Sequence, residues 1–550
     1  MSKSIQLSIA FVLVLLISAC GNQRTADTII TDARIWTGIP DQPFVQAMAI
    51  KGDVILGVGS NDEMFVYRGI NTNVEELWGQ FITPGFIDSH VHFLQGGMNL
   101  ASVQLRDAKT PEEFASRIGE FAKTVPAGTW ILGGDWDHEN WGGELPHRDW
   151  IDELTPDHPV YITRLDGHMS LANSKVLELA GISNDVADVD GGSIVRDPDG
   201  RLTGIFKDNA ESLIYPHIPE SSEAEVDRSL KMAMEYVASN GVTSVHDMSA
   251  ELDGIKRARE SGSLITRYYG VFPLRQWERV KTMVDEQGKG DEWIKIGGLK
   301  GFVDGSLGSH TAAFHEPYTD TPNDSGFFVT TEDDLYTWTK SADEAGLQVM
   351  IHAIGDKANG FLLDNFARIQ EENGPKDRRF RIEHAQHIAP DDIQRFADLE
   401  VIASMQPYHA IDDGRWAERV IGPERIKTTY AFKSLLDAGA VVAFGSDWFV
   451  APPTPLEGIY AAVTRQTLDD ENPDGWVPEQ KVTVEDALTT YTQSAAYASF
   501  EEDIKGTLEA GKLADYVIID RDLTEIDPAE IRFARIMKTV VGGKTVYSRN

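Results

Sequence analysis

The stretch Gly85–Phe93, GFIDSHVHF, places two histidines two residues apart within an apolar run. Successive side chains of a β-strand point to opposite faces, so His90 and His92 are expected on the same face. At a rise of ~3.3 Å per residue their Cα atoms lie about 6.7 Å apart, and both imidazoles can reach one ion at roughly 2.0–2.1 Å. An isolated pair of this kind is equally consistent with two half-buried histidines bonded to the backbone, so the rest of the chain must decide.

Around this stretch, from about residue 83 to residue 500, apolar strands alternate with amphipathic helical segments. EAEVDRSLKMAMEYVASNG precedes VTSVHDM, and TEDDLYTWTKSADEAGL precedes QVMIHAIGD. This alternation predicts a parallel sheet with helical crossovers, here assigned to residues 83–502. The span is far longer than the ~250 residues of a plain eight-stranded barrel, so an insertion is expected. The irregular stretch at about 100–240, rich in Gly, Asp and Trp, is the best candidate.

Both ends of the chain carry short strands separated by glycine and aspartate turns. TIITDARIWTG and AMAIKGDVILGVG lie near the start, and GKLADYVIID and IMKTVVGGKTVYS lie near the end. These patterns predict one small sheet domain built from residues 26–82 and 503–550.

The first twenty residues, MSKSIQLSIAFVLVLLISAC, carry one early lysine and then an apolar run too short for a comfortable membrane span. Residues 1–19 read as a secretory signal. Cys20 follows directly, and ISAC-GN resembles a bacterial lipobox in which that cysteine is lipidated. The expected location is therefore periplasm-facing and lipid-anchored. Gly21 lacks the aspartate that resembles an inner-membrane retention signal, which favours the outer membrane. The alternative is a free cysteine in an uncleaved anchor.

Composition narrows the partners of the 550-residue chain. The formal net charge is −37, and a surface this acidic repels nucleic acid and anionic lipid headgroups. Cys20 is the only cysteine, so no intramolecular disulfide can form. The lipid anchor is thus the only expected contact with the membrane, and a homodimer is left open.

Residues able to bind a metal recur where predicted strands end. They are His90, His92, Lys300, Asp304, His352, His384, His387 and Asp447. Functional side chains of parallel α/β barrels cluster at the carboxyl ends of the strands. A single buried histidine is more often a core residue than a ligand, but this recurrence favours one shared metal site.

Five of these segments carry a family resemblance: ITPGFIDSHVH, LKGFVDGSLGS, MIHAIGD, RIEHAQ and VAFGSDW. Together they resemble the metal-dependent amidohydrolase superfamily. VYITRLDGHMSLANS is typical of its amidohydrolase-3 branch, which includes YtcJ-like proteins and N-substituted formamide deformylases. The resemblance runs from about residue 26 to residue 547. It implies an α/β fold, a distorted TIM (β/α)8 barrel with an inserted subdomain, and a small β-sandwich built from both termini.

The resemblance also implies a ligand set. His90, His92 and Asp447 would bind one metal, and His352 and His384 would bind a second. Lys300 would be carboxylated by CO2 and bridge the two, because lysine itself has no lone pair to offer as a cation. Zinc is the default divalent ion, with one or two ions per chain. The alternatives are a Lys300 ammonium that reaches solvent and an Asp447 that only caps a turn.

Within that chemistry, a metal lowers the pKa of bound water to about 7, and Asp447 can carry the proton from the attacking water to the leaving group. His168, in the inserted region, would polarise a carbonyl or orient the substrate; a structural histidine is equally consistent. Of the two histidines in RIEHAQHI, His384 matches the ligand position and His387 is secondary. His246 is expected to support the ligands from behind.

Four further residues are substrate-binding candidates: Trp136, His310, Gln406 and Trp448. Trp136 belongs to a tryptophan-rich segment that would form a pocket wall, although core packing is the more common role of such residues. The family usually has arginine at the position of His310, so its substrate preference does not carry over directly.

The sequence therefore predicts a metal-dependent hydrolase that uses a metal-activated hydroxide to cleave a non-peptide, amide-like C–N bond in a small molecule. An esterase or lactonase using the same site is one alternative. A lipoprotein that binds a solute or metal without turnover is the other, because fold alone does not fix function.

Overall fold

A computed structural model describes residues 25–549. The predicted signal peptide and Cys20 lie outside these residues, so they remain predictions. Among the described helices, none combines the length and the apolar character needed to cross a membrane.

The N-terminal segment forms seven strands and one short helix. They are β1 (Thr28–Thr31), β2 (Arg34–Trp36), β3 (Phe44–Val45), β4 (Ala47–Lys51), β5 (Val54–Gly59), α1 (Asn61–Phe65), β6 (Asn73–Glu76) and β7 (Phe81–Pro84). One four-stranded sheet has the order β5-β4-β1-β6. In β5 every second residue is buried, as alternation on a one-sided sheet requires.

The next strand, β8 (Phe86–Val91), starts the barrel and is followed by the insertion. Its elements are α2 (Phe93–Asn99), α3 (Pro111–Ala122), β9 (Ile131–Trp136), β10 (Val160–Arg164), β11 (Met169–Ala172), α4 (Ser174–Ala180), β12 (Gly192–Arg196) and β13 (Leu202–Asp208). The five strands form a separate sheet with the order β12-β13-β11-β10-β9.

The predicted end of the insertion, near residue 240, is too late. Helix α5 (Glu223–Ser239) begins at a capping box on Ser222 and leads directly into the second barrel strand, β14 (Val242–Asp247). Its apolar face packs on β14 and α2, so α5 is the first barrel crossover and not part of the inserted sheet.

The remaining barrel strands are β15 (Arg267–Pro273), β16 (Ile294–Phe302), β17 (Gln348–Ala353), β18 (Arg381–His384), β19 (Ile402–Met405) and β20 (Val442–Phe444). The helices between and after them are α6 (Leu252–Glu260), α7 (Trp277–Gln287), α8 (Glu332–Glu344), α9 (Asp356–Asn373), α10 (Ile393–Asp398), α11 (Pro407–Asp413), α12 (Ala417–Arg425), α13 (Phe432–Asp437), α14 (Pro455–Thr464), α15 (Val484–Thr490) and α16 (Gln493–Tyr497).

All eight barrel strands pair in parallel, in the order β20-β19-β18-β17-β16-β15-β14-β8. Closure comes through the loop after β20, where the Asp447 amide donates to the His90 carbonyl at 2.7 Å. The predicted distorted TIM-type barrel is confirmed. Its parallel strands bring their carboxyl ends to one face, which is where this loop and the predicted ligands lie.

The C-terminal strands return to the first domain. They are β21 (Tyr516–Ile519), β22 (Ile536–Val541) and β23 (Lys544–Ser548), and they complete a six-stranded sheet with the order β23-β22-β21-β7-β2-β3. Because β7 pairs with β21, this domain extends to Pro84, slightly beyond the predicted boundary. Ile30, Met48 and Ile50 of one sheet meet Ile82 and Ile518 of the other in a shared core.

Candidate metal centre

His90 lies in strand β8, and His92 directly follows the last residue of that strand. His90 is fully buried and His92 is half-buried, with ring centroids 5.7 Å apart. Their Nε2 atoms lie 3.3 Å and 3.4 Å from the same oxygen, Oδ1 of Asp447. Three potential ligand atoms from opposite ends of the barrel sequence thus converge on one point.

Asp447 shows whether this cluster suits a cation. Its Oδ1 is buried and accepts no hydrogen bond from any described residue. Burial by itself raises the pKa of Asp447, but the His90 and His92 imidazoles outweigh it and hold the pKa well below its usual range. A buried carboxylate without a donor is costly unless a positive charge satisfies it, so the donor set fits a divalent metal ion.

Lys300 lies on β16 at the centre of the same cluster. Its Nζ donates to Nε2 of His90 at 3.3 Å, and the side chain is buried. Burial lowers the pKa of Lys300 to about 8. A neutral amine is the form that combines with CO2, so this environment suits the carboxylation that the resemblance implies.

His352 and His384 approach from β17 and β18, with ring centroids 4.6 Å apart. Nε2 of His352 donates to the Gly305 carbonyl at 3.0 Å, and Nδ1 of His384 donates to Oε1 of Gln406 at 2.9 Å. Each ring therefore keeps one nitrogen free of these bonds. Burial lowers both pKa values well below the usual range, which keeps the rings in the neutral, metal-binding form.

A buried network of charged residues holds the ring nitrogen of His90 that does not face Asp447. Nδ1 of His90 donates to Oε2 of Glu383 at 2.5 Å, and both side chains are fully buried. Arg381 lies 2.7 Å from the other Glu383 oxygen and also donates to Nδ1 of His246 at 3.1 Å. His246 therefore lies behind the ligands, as predicted, rather than among them.

Two candidate residues serve the scaffold instead of the cluster. Asp304 accepts backbone N–H bonds from Ala313, Ile354 and Gly355 at 2.8–3.0 Å, which fixes the loops after β16 and β17. Nδ1 of His387 lies 2.8 Å from the Thr429 hydroxyl and its ring does not line the cavity. His384, not His387, faces the metal centre.

A cavity of about 270 Å³ opens over the cluster. His168 reaches it from the insertion, with its ring centroid 5.0 Å from that of His352. Burial lowers the pKa of His168, but the hydrogen bond from Nδ1 to Asp208, at 2.7 Å, and the Asp208 charge raise it to about 9. A cationic donor thus faces the metal centre, as polarisation of a carbonyl requires.

None of the four substrate-binding candidates lines the metal cavity. Trp136 is 0% exposed, within the core of the insertion, and its Nε1 donates to the Ile162 carbonyl. His310 turns aside to Asp320 at 3.1 Å. Gln406 holds His384, as described above. Trp448 packs on Phe93, whereas its neighbour Phe449 reaches the cavity.

His409, which is not among the residues predicted from the sequence, lies on α11 and lines the cavity. Its buried Nε2 has no hydrogen-bond partner among the described residues, and one of its ring nitrogens lies within 4.8 Å of ligand atoms of His384 and Asp447. Asp412 and Asp413, on the same helix, line the cavity as well. The signal was available, because QPYHAIDD directly follows a barrel strand, the position at which functional residues cluster.

Three known proteins are similar to this chain in sequence over nearly its whole length. Protein LONG AFTER FAR-RED 3 of Arabidopsis thaliana is 40% identical, over 95% of this chain and 92% of its own length. Putative amidohydrolase YtcJ of Bacillus subtilis is 30% identical, over 94% and 98%. N-substituted formamide deformylase of Arthrobacter pascens is 27% identical, over 95% and 98%.

Among solved structures, an uncharacterized metal-dependent hydrolase from Pyrococcus horikoshii superposes with a TM-score of 0.74 at 29% identity. The match covers 91% of this chain and 99% of that chain. The model of the amidohydrolase family matches residues 73–547, almost the entire described chain. Together with the arrangement of histidines, lysine and aspartate at the barrel face, this match shows that the chain belongs to the amidohydrolase family, in its amidohydrolase-3 branch.

Proposed function

We propose that this metal-dependent hydrolase cleaves a non-peptide, amide-like C–N bond in a small molecule. The observation that carries the proposal is the buried, unpartnered Oδ1 of Asp447, which faces His90 and His92 on the floor of a cavity. A protein that only bound a solute would have no need of an unsatisfied carboxylate at that point. The name of the formamide deformylase relative is consistent with an amide substrate.

The proposed ligand set combines one group of residues whose ligand atoms lie close together with others that the family resemblance implies. His90, His92 and Asp447 would hold one divalent cation, with zinc as the default. His352 and His384 would hold a second, and Lys300, as a carbamate, would supply oxygen ligands to both. A bound cation of this kind polarises a carbonyl group and lowers the pKa of a nearby water molecule.

Three side chains of the chain itself then carry the protons and charges. Asp447 accepts the proton of the attacking water and returns it to the leaving nitrogen. His168, held as a cation by Asp208, donates a hydrogen bond toward the carbonyl oxygen as negative charge develops there. Glu383 holds His90 in the tautomer whose Nε2 faces the metal centre.

Metal content and turnover test the proposal together. Protein purified without chelator or His-tag is expected to contain one or two zinc ions per chain by elemental mass spectrometry. The zinc-loaded protein is expected to release amine from a panel of formamides and acetamides, and matched esters and lactones test the competing reaction. Asp447→Asn should abolish turnover, and its metal content shows whether the effect is on chemistry or on binding. Protein that takes up no metal, even with zinc and bicarbonate, would refute the mechanism.

For the location we propose a lipid anchor on Cys20 that holds the enzyme at the periplasmic side of the outer membrane. The support is the ISAC-GN pattern, which lies in the part of the chain that the structure does not describe. Cys20→Ser is expected to shift the protein from the detergent phase to the aqueous phase in a Triton partition assay. An unchanged partition would refute lipidation at Cys20.

A further inference from the structure

A second cavity, of about 800 Å³, adjoins the metal cavity. The two share four lining residues, Gly167, His168, Lys300 and Phe302. Small-molecule sites usually measure roughly 300–1,000 Å³, so the metal cavity of about 270 Å³ is small for a substrate. The second cavity supplies the missing volume directly beside the metal ligands.

Apolar walls form one part of the second cavity, and polar residues that include Asp208 and Glu211 form the rest. The apolar walls come from the end of β15, the end of β16, the loop before α8 and α8 itself, as Pro273, Leu274, Phe302, Phe328, Leu335 and Trp338. Charged side chains, among them Asp190, Arg275 and Asp334, also line it. The insertion covers this space from one side, where Nδ2 of Asn209 donates to the Val329 carbonyl at 3.0 Å.

The Phe302 side chain lines both the metal cavity and the second cavity. Phe302 follows Lys300 by two residues on β16, so both side chains lie on the same face of the strand. The Phe302 ring centroid lies 4.9 Å from Nζ of Lys300 and 5.2 Å from the His352 ring centroid. A group attached to a carbon that reacts beside Lys300 and His352 therefore begins only one ring away from the second cavity.

We infer that the second cavity binds an alkyl or aryl substituent of the amide substrate. This inference rests on the proposed function and adds the substrate class, namely amides with one apolar arm. A charged arm would lose its hydration against Leu274, Phe328 and Trp338, whereas an apolar arm gains from leaving water. Phe302, Phe328 and Trp338 supply aromatic surface for such an arm.

Two substrate series test the inference with the zinc-loaded protein. In one, the amine side of a formamide grows from N-methyl to N-butyl and N-hexyl; in the other, the acyl side of an N-methylamide grows likewise. In one series kcat/KM is expected to rise about fourfold per methylene, the equivalent of ~0.8 kcal/mol per buried CH2. The series that responds identifies the arm that enters the second cavity. No length dependence in either series overturns the inference.

A matched pair of tryptophan variants locates the effect. Trp338 lines the second cavity and not the metal cavity, whereas Trp416 lines the metal cavity and not the second. Trp338→Ala is expected to flatten the dependence on chain length, whereas Trp416→Ala should lower kcat/KM for all members and leave the slope. Phe328→Ala repeats the first test if Trp338→Ala does not fold. A slope that persists in the Trp338 and Phe328 variants overturns the inference.

Measurements of ligand binding distinguish failure of this inference from failure of the proposed function. If the zinc-loaded protein hydrolyses no amide of either series, the proposed function fails. Calorimetry then compares N-hexylformamide with N-methylformamide, and N-methylheptanamide with N-methylacetamide. Tighter binding of one longer compound, lost in Trp338→Ala, would still support an apolar site. Equal binding of the long and short members of both pairs would overturn it.

Discussion

Replacing Glu383 with glutamine is expected to weaken zinc binding about tenfold without unfolding the protein. Glu383 and His90 are fully buried and joined by a 2.5 Å hydrogen bond, and Arg381 lies 2.7 Å from the other carboxylate oxygen. Hydrogen bonds to a charged group contribute roughly 1.5–3 kcal/mol, equivalent to a factor of about 10 to 150 in affinity. Loss of residues that orient metal ligands typically costs 10–100-fold in affinity or activity.

Glu383→Gln should lower zinc affinity by an amount at the lower end of this range, because the glutamine amide oxygen can still accept the hydrogen bond from Nδ1 of His90. Glu383→Ala removes the acceptor as well and should approach a hundredfold loss. Zinc affinity is measured by competition with a chelator of known zinc affinity, and the zinc retained after dialysis is measured by elemental mass spectrometry. Neither readout depends on knowing the substrate.

Glu501 provides the control, because it is also a buried glutamate paired with a cation, Lys505, at 2.7 Å. Glu501→Gln should lower the thermal midpoint of the metal-free protein and leave zinc affinity unchanged. Glu383→Gln should reduce the rise in the midpoint that zinc produces. A folded Glu383→Gln protein that binds zinc like the wild type would refute the positioning role of Glu383.

Three further predictions concern other parts of the molecule. His409→Gln should lower kcat by at least about tenfold at unchanged metal content, because a His409 ring nitrogen lies within 4.8 Å of ligand atoms of His384 and Asp447; loss of a metal ion instead would make His409 a ligand. The pKa of His168 rises on folding from its usual 6.5 to about 9, so its pairing with Asp208 stabilises the fold fully below pH 6.5 and loses this effect as the pH rises through 9. His168→Gln should therefore lower the thermal midpoint most at pH 6 and least above pH 9, and an equal loss at both pH values would contradict the pairing. Asp515→Asn leaves the buried Arg267 without its carboxylate partner at 2.5 Å and should cost about 3–5 kcal/mol of unfolding free energy in urea titrations. Asp227→Asn, which breaks the exposed pair with Arg257, should cost much less.

The barrel and its strand-end residues were predictable from the sequence because both depend on local periodicity. A period of two places His90 and His92 on one face, and parallel strands bring all their carboxyl ends to one edge whatever their separation in sequence. The end of the insertion was misplaced because α5 has the same amphipathic pattern whether it packs on the inserted sheet or on the barrel. The amphipathic pattern of a helix does not show which sheet its apolar face packs against.

The four substrate-binding candidates lie outside the metal cavity because the type of a residue does not show which way its side chain points. Trp136 is the last residue of β9, where a shift of strand register at Asp135 puts its side chain into the same core as Ile131. Trp448 and Phe449 are neighbours, but only the second lines the cavity. His409 follows a barrel strand, which was an available signal, but its proximity to Asp447 depends on how α11 packs, and the sequence pattern does not show that packing.

The hydrogen-bond partners of His90 and His384 differ in charge, and this difference should decide which metal position fills first. His90 donates to the carboxylate of Glu383, whereas His384 donates to the neutral amide of Gln406. A carboxylate makes the opposite ring nitrogen a stronger ligand than an amide does, since it stabilises positive charge on the ring. The His90, His92 and Asp447 position should thus fill first as zinc is added, and the His352 and His384 position, which depends on carboxylated Lys300, should fill second. Two ions bound to one chain would then differ in affinity because of residues that touch neither of them.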